Sequence, residues 1–193
     1  MTRDLGMVSS AVYRYVANRD ELLTLLVLDA YTELGEAVDA SLATATRVSW
    51  ERKVLLAAHA VRDWALREPA RYALLYGSPV PGYEAPEATL EPGTRVIRLL
   101  LGLVAEGVAV GDIRNGSSEV PIPRALRADL ARVRTDLGVD IDTAPLARAV
   151  MLWSVLFGAV SLEVFGQLGR DTFTDPGVLF DYQVRQALVT LRG

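Results

Sequence analysis

The chain has no cysteine, one histidine and no excess of positive charge, and each shortage removes a class of function. Without cysteine there is no disulfide framework and no thiolate to serve as nucleophile or metal ligand, which is compatible with a reducing compartment. The one histidine, His59, provides no pair or Cys/His cluster for zinc. Nothing resembles a nucleophile elbow or a phosphate-binding loop. Asp140 and Asp142 are explained by helix capping, so no catalytic residue, metal or cofactor is expected, and the chain does not read as an enzyme. A net charge of −4 argues against nonspecific nucleic-acid binding by the whole surface. No basic-then-apolar leader opens the sequence. The apolar run from Ala149 to Leu162 falls short of the roughly twenty residues a membrane span requires. A buried helix, no membrane partner and a cytoplasmic location are therefore expected.

What is present is apolar and helical. With 193 residues of which 51% are hydrophobic, the chain can bury a real core and hold one good-sized domain plus a small extension. No segment alternates convincingly enough for a strand, and there is no internal repeat or low-complexity stretch. The expected fold class is all-α. Asn18 is a good N-cap, with Asp20 and Glu21 at the positive end of the dipole, and it starts a long helix to about Leu42. Ser49 caps a helix from Trp50 that stops at Glu68, and Pro69 starts a short one through Tyr76. The proline- and glycine-dense stretch Gly77–Pro86 is a loop. A helix apolar on most sides is expected from Pro92 to about Val110, with Arg98 buried on it and needing a partner such as Glu163 or an anionic ligand group. Arg124–Leu137 reads as amphipathic with its arginines on a solvated face. Asp142-Thr143 caps a helix from about Ala144 to Leu168, and Asp175-Pro176 caps the last, ending near Leu191.

The organising stretch lies near the start. Gly6 follows Leu5 and suits the corner between two helices. From Ser9 to Val16, Ala11, Val12 and Val16 can pack inward. Ser9, Ser10, Arg14 and one or both of the tyrosines Tyr13 and Tyr15 then point outward, a set of hydroxyls, a cation and phenols suited to base edges and phosphates. Arg3, Arg14 and Arg19 stand against Asp4 alone, so the local charge is positive although the whole is not.

The ordered match from Leu5 through Arg14 to Leu22 resembles the second half of the DNA-binding domain of TetR-family transcriptional regulators. The sequence departs from the family pattern at Val8, usually a serine that caps the recognition helix, and at Val16, usually phenylalanine. The resemblance implies that Ser9, Ser10 and Arg14 read the major groove while Tyr13, Tyr15 and Arg19 hold phosphates. Residues 1–42 would then be a partial helix-turn-helix plus linker helix, and residues 43–193 a helical ligand-binding and dimerisation domain. Only Thr2 to Leu5 precede the corner, so roughly twenty to twenty-five residues of bracing helices are expected to be missing relative to a working family member. The alternative reading is a truncated ligand-binding and dimerisation module with impaired DNA binding.

The stretch from Arg62 to Tyr83, with Met151 to Gly158 later, resembles the WHG-type C-terminal domain of one TetR subgroup. That implies a helical ligand pocket. Trp64, Tyr72, Tyr76, Tyr83, Trp153 and Phe157 offer apolar walls with polar tips, joined by Arg98, for a small and largely apolar ligand. Ala147, Met151, Ser154, Gly158, Ser161 and Leu162 form a stripe of small and apolar residues that permits close helix approach, and the resemblance implies a homodimer through the last two helices. The expected function is a ligand-responsive repressor, a homodimer on a palindromic double-stranded DNA operator.

Overall fold

The computed structural model describes residues 18–116, 120–169 and 171–193. Among them are seven α-helices and one short 3₁₀ turn: α1 (Arg19–Leu42), α2 (Trp50–Arg67), α3 (Pro69–Tyr76), the 3₁₀ turn Glu87–Thr89, α4 (Leu90–Ala109), α5 (Arg124–Leu137), α6 (Thr143–Val164) and α7 (Pro176–Arg192). The described residues contain no strand.

Three helix starts follow from side-chain capping, whereas Asp142, expected to cap α6, makes no side-chain cap bond. Asn18 Oδ1 accepts the Glu21 amide at 2.8 Å, Ser49 Oγ accepts that of Arg52 at 3.3 Å, and Asp175 Oδ1 accepts that of Gly177 at 2.8 Å. Pro69 and Pro176 sit in first turns, where no amide donor is required. Two boundaries differ from the sequence expectation. Helix α4 begins at Leu90 rather than Pro92, because a proline is tolerated anywhere in the first turn and does not have to be its first residue. Helix α6 ends at Val164 rather than Leu168. There Gly166 takes φ +68°, the Gln167 amide bonds Leu162 O at 2.8 Å and the Gly166 amide bonds Glu163 O at 3.0 Å, the paired bonds of a Schellman stop.

The core forms where the faces of α1, α2, α4, α6 and α7 meet. Leu34, Val54, Trp64, Val104, Leu156 and Val184 are fully enclosed. Each such side chain contributes about 1.5–3 kcal/mol of apolar transfer relative to exposure. Helix α1 joins this core from Val27 onward, through Ala30, Leu34, Gly35 and Val38. Helix α5 buries only Leu130, so its arginines do stand on a solvated face. By length and composition α6 is the one described helix able to cross a membrane, yet half of its most apolar window is buried in the fold, against α7, α2 and α4.

Arg98 requires a correction. It is exposed on α4, whose buried face is Val96, Leu100, Leu101, Leu103, Val104 and Gly107. Glu163 is engaged elsewhere, by Arg62. The long apolar run hid a solvent-facing line, Arg98, Gly102 and Ala109, along one side of the helix.

Candidate functional site

Helix α3 is short, and its value lies in two tyrosines four residues apart, which therefore share a face. Tyr72 is fully buried. Its Oη donates to the Phe157 carbonyl at 3.2 Å and lies 2.8 Å from Ser161 Oγ. Tyr76 packs with its ring centroid 4.5 Å from Phe157 and 5.2 Å from Tyr72, and Phe157 in turn lies 4.1 Å from Trp153. Tyr31 of α1 meets Tyr76 edge-on at 6.4 Å, and Phe165 reaches Tyr72 at 6.0 Å. These offset and edge contacts are the favoured geometry for aromatic quadrupoles. The result is one ring cluster bridging α1, α3 and α6.

Burial pushes the phenols of Tyr72 and Tyr76 above the usual tyrosine range, for Tyr76 far above it. Both are neutral at any ordinary pH. The cluster is packed ring on ring, with Tyr72 and Phe157 buried, so it is a closed set of neutral phenols and apolar rings rather than an open cavity.

The ligand residues expected from sequence divide into groups. Tyr72, Tyr76, Trp153 and Phe157 are brought together. Trp64 is fully buried on α2, and its indole Nε1 has no hydrogen-bond partner. Such a buried donor is costly to leave unmade. Tyr83 stands apart, its Oη 3.1 Å from Thr24 Oγ1, on a groove of about 360 Å³ bordered by Val27, Tyr31, Leu75, Thr89 and Gly93. Arg98 belongs to neither group. Tyr31, Phe165 and Ser161 were not anticipated as cluster members. A signal existed for Tyr31, which lies four residues after Val27 and three before Leu34 on the buried side of α1.

Of the residues expected to touch DNA, Ser9, Ser10, Tyr13, Arg14 and Tyr15 lie outside the described residues. Arg19 opens α1, is exposed, and places Nη1 3.5 Å from the Pro81 carbonyl. Of the stripe expected to pair subunits, Met151, Ser154, Gly158 and Leu162 are exposed along α6 and Ala147 is half-buried, while Ser161 turns inward to Tyr72. Helix α7 adds exposed Val178, Tyr182 and Val189.

Comparison with known proteins places this architecture. A family model described as tetracyclin repressor-like, C-terminal domain, matches residues 54–187, from α2 into α7. The HTH-type transcriptional regulator Rv1816 of Mycobacterium tuberculosis is 48% identical over 192 residues, covering 99% of this chain and 81% of the relative. The HTH-type transcriptional regulator Mb1846 of Mycobacterium bovis shows the same 48% identity and coverage. Among solved structures, a protein described as a regulatory protein, SCO4313, shares 32% identity at a TM-score of 0.73, covering 96% of this chain and 81% of that one. A protein of unknown function from Rhodococcus sp. RHA1 has a TM-score of 0.62 at 20% identity, covering 93% of this chain and 74% of that one, a likeness of fold alone. With its helical body matched by the family model and nearly its whole length aligned to such relatives, the chain belongs to the TetR family of helix-turn-helix transcriptional regulators.

Proposed function

We propose that the chain acts as a homodimeric, ligand-responsive repressor in the cytoplasm, reading a palindromic operator with Ser9, Ser10 and Arg14 while Tyr13, Tyr15 and Arg19 hold phosphates. The observation that carries the ligand-responsive part is the ring cluster. It places Tyr31 of α1, the helix that follows the reading segment, in direct contact with Tyr76 of α3, which itself packs on Phe157 of α6. An apolar ligand entering among these rings must displace one of them, and a displacement of Tyr76 reaches α1 through Tyr31. Affinity for DNA then changes by the difference in ligand binding between the two arrangements. The exposed line of Met151, Ser154, Gly158 and Leu162, beside Val178, Tyr182 and Val189 on α7, supports a twofold contact through α6 and α7.

The test is a mobility-shift titration on the DNA flanking the chain's own gene, at two salt concentrations, with the wild type and Arg14→Ala. Retardation by the wild type, weakened in the variant, is expected. Loss of one phosphate or base contact weakens affinity about tenfold or more. Binding that Arg14→Ala leaves intact removes the assignment of the reader, and no retardation of any fragment favours a ligand-binding and dimerisation module over a repressor.

A further inference from the structure

Among the described residues, the first turns of α1 bury little against the core. No residue of the helix before Val27 is buried, Leu25 and Leu26 are exposed, and Leu22, Leu23 and Thr24 are half-buried. A helix end in that condition opens readily. Two contacts from the loop that follows α3 reach it. Tyr83 Oη lies 3.1 Å from Thr24 Oγ1, and Arg19 Nη1 lies 3.5 Å from the Pro81 carbonyl. The direction of the first is fixed, because Thr24 spends its own hydroxyl proton on the Asp20 carbonyl at 2.9 Å, leaving the Tyr83 hydroxyl to donate.

The loop is suited to holding rather than yielding. Pro79, Pro81 and Pro86 each lock a backbone dihedral. Gly82 takes φ +77° in the turn closed by the Tyr83 amide on Val80 O at 3.1 Å. Both ends are rooted in the body. Tyr76 precedes the loop inside the ring cluster. Buried Thr89 follows it, its hydroxyl on the Pro86 carbonyl at 2.7 Å.

We propose that the Gly77–Pro86 loop is a latch on the start of α1, closed by the Tyr83–Thr24 hydrogen bond, and that it fixes the direction in which the residues before α1 are presented. This rests on the reading of those residues as the DNA-facing segment. The latch gives the ring cluster a second route to that segment, because a shift of Tyr76 moves the root of the loop as well as the Tyr31 contact on α1.

Hydrogen–deuterium exchange of the whole chain tests the latch without any DNA or ligand, comparing the wild type with Tyr83→Phe, Thr24→Val and the double variant. Amides of Leu22 to Leu26 are expected to exchange about fivefold faster in each single variant, the weight of one neutral hydrogen bond, and no faster in the double. Peptides of α3 and α6 are expected to stay as in the wild type. Unchanged exchange at the start of α1 in either single variant, additive effects in the double, or equal acceleration in α3 and α6 would overturn the proposal. A parallel mobility shift on the flanking DNA separates the two readings. Weaker binding by both single variants is expected, by several-fold. Unaltered binding alongside faster exchange overturns the presenting role of the latch. Absence of any shift by the wild type overturns the regulator reading, and the exchange result still decides whether the latch exists.

Discussion

Arg62 of α2 grips Glu163 of α6 with two prongs, Nε 2.7 Å from Oε2 and Nη2 2.6 Å from Oε1. Both side chains are about six-sevenths enclosed, at 15% and 14% exposure, so the pair is shielded from salt and its partners depend on each other. The hydrogen bond to Glu163 is the main reason that the Arg62 guanidinium holds its proton more tightly than usual. Asp63 is a poorer substitute at 3.7 Å and largely exposed. Glu163→Ala is expected to destabilise the fold by about 2–4 kcal/mol, since it strands a nearly buried cation. Arg62→Met combined with Glu163→Leu should recover most of that loss. Urea denaturation of the wild type and the two variants measures it, and a double variant no more stable than Glu163→Ala would contradict the account.

Two glycines five residues apart on α4 are expected to respond with opposite sign. A Cβ at Gly102 meets nothing within 4 Å and would stand in solvent. Gly102→Ala therefore gains helix propensity, about 0.5–1 kcal/mol of stability. A Cβ at Gly107 would lie 2.6 Å from Ile113 Cδ1 and 2.9 Å from the Trp50 ring. That ring is held in place by its Nε1 bond to Asp112 at 2.9 Å. Gly107→Ala is expected to cost about 1–3 kcal/mol through overpacking. Thermal melts of the two variants read the signs directly.

The contrast shows what the sequence carried. Helix starts were legible because Asn18, Ser49 and Asp175 are short acceptors immediately before a helix and act locally, within three residues. The stop at Val164 was missed although Gly166 marks it, because apolar periodicity continues to Leu168 and only the positive φ at Gly166 breaks it. Arg98 was misplaced for a different reason. In a helix this apolar the phase of the exposed line is set by which neighbours cover it, and that is tertiary information. The ring cluster was half legible. Tyr72, Tyr76, Trp153 and Phe157 could be grouped by chemistry, but no spacing places Tyr31, forty-five residues before Tyr76, at its edge.

Asp181 makes the stability weakly acid-sensitive. Its carboxylate accepts from Arg185 Nε at 2.5 Å and lies 3.2 Å from His59 Nε2, and the Arg185 bond is the main cause that holds it below the usual aspartate range. A carboxylate whose folded value is depressed stabilises the fold above its unfolded value of about 3.9, and the contribution fades as pH falls through the lower folded value. At 34% exposure the effect is screened, and Asp181→Asn is expected to cost no more than about 1 kcal/mol at neutral pH. The gap between wild type and variant should begin to narrow below about pH 4 and close only below the lower folded value. A gap that does not narrow there would mean the asparagine had disturbed packing rather than charge. Urea midpoints measured from pH 7 down to pH 3 distinguish the two.

Gly158 gives the sharpest test of the proposed twofold contact. It lies exposed midway along α6, and a Cβ there meets no atom of its own subunit within 4 Å. Within one subunit, then, a larger residue at this position is harmless, and Gly158→Ala should even stabilise an isolated chain slightly through helix propensity. In the proposed twofold contact a facing copy of α6 would bring two backbones close at this site, and a long charged side chain would hold them apart and be buried without a partner. Light scattering should give the wild type twice the chain mass of 21.0 kDa. Gly158→Arg should run at a single chain mass with helical content unchanged. A wild type that is already monomeric, or a Gly158→Arg variant that stays dimeric, would move the contact off this face. Neither result would disturb the assignment to the family, which rests on the match over residues 54–187 and on the relatives.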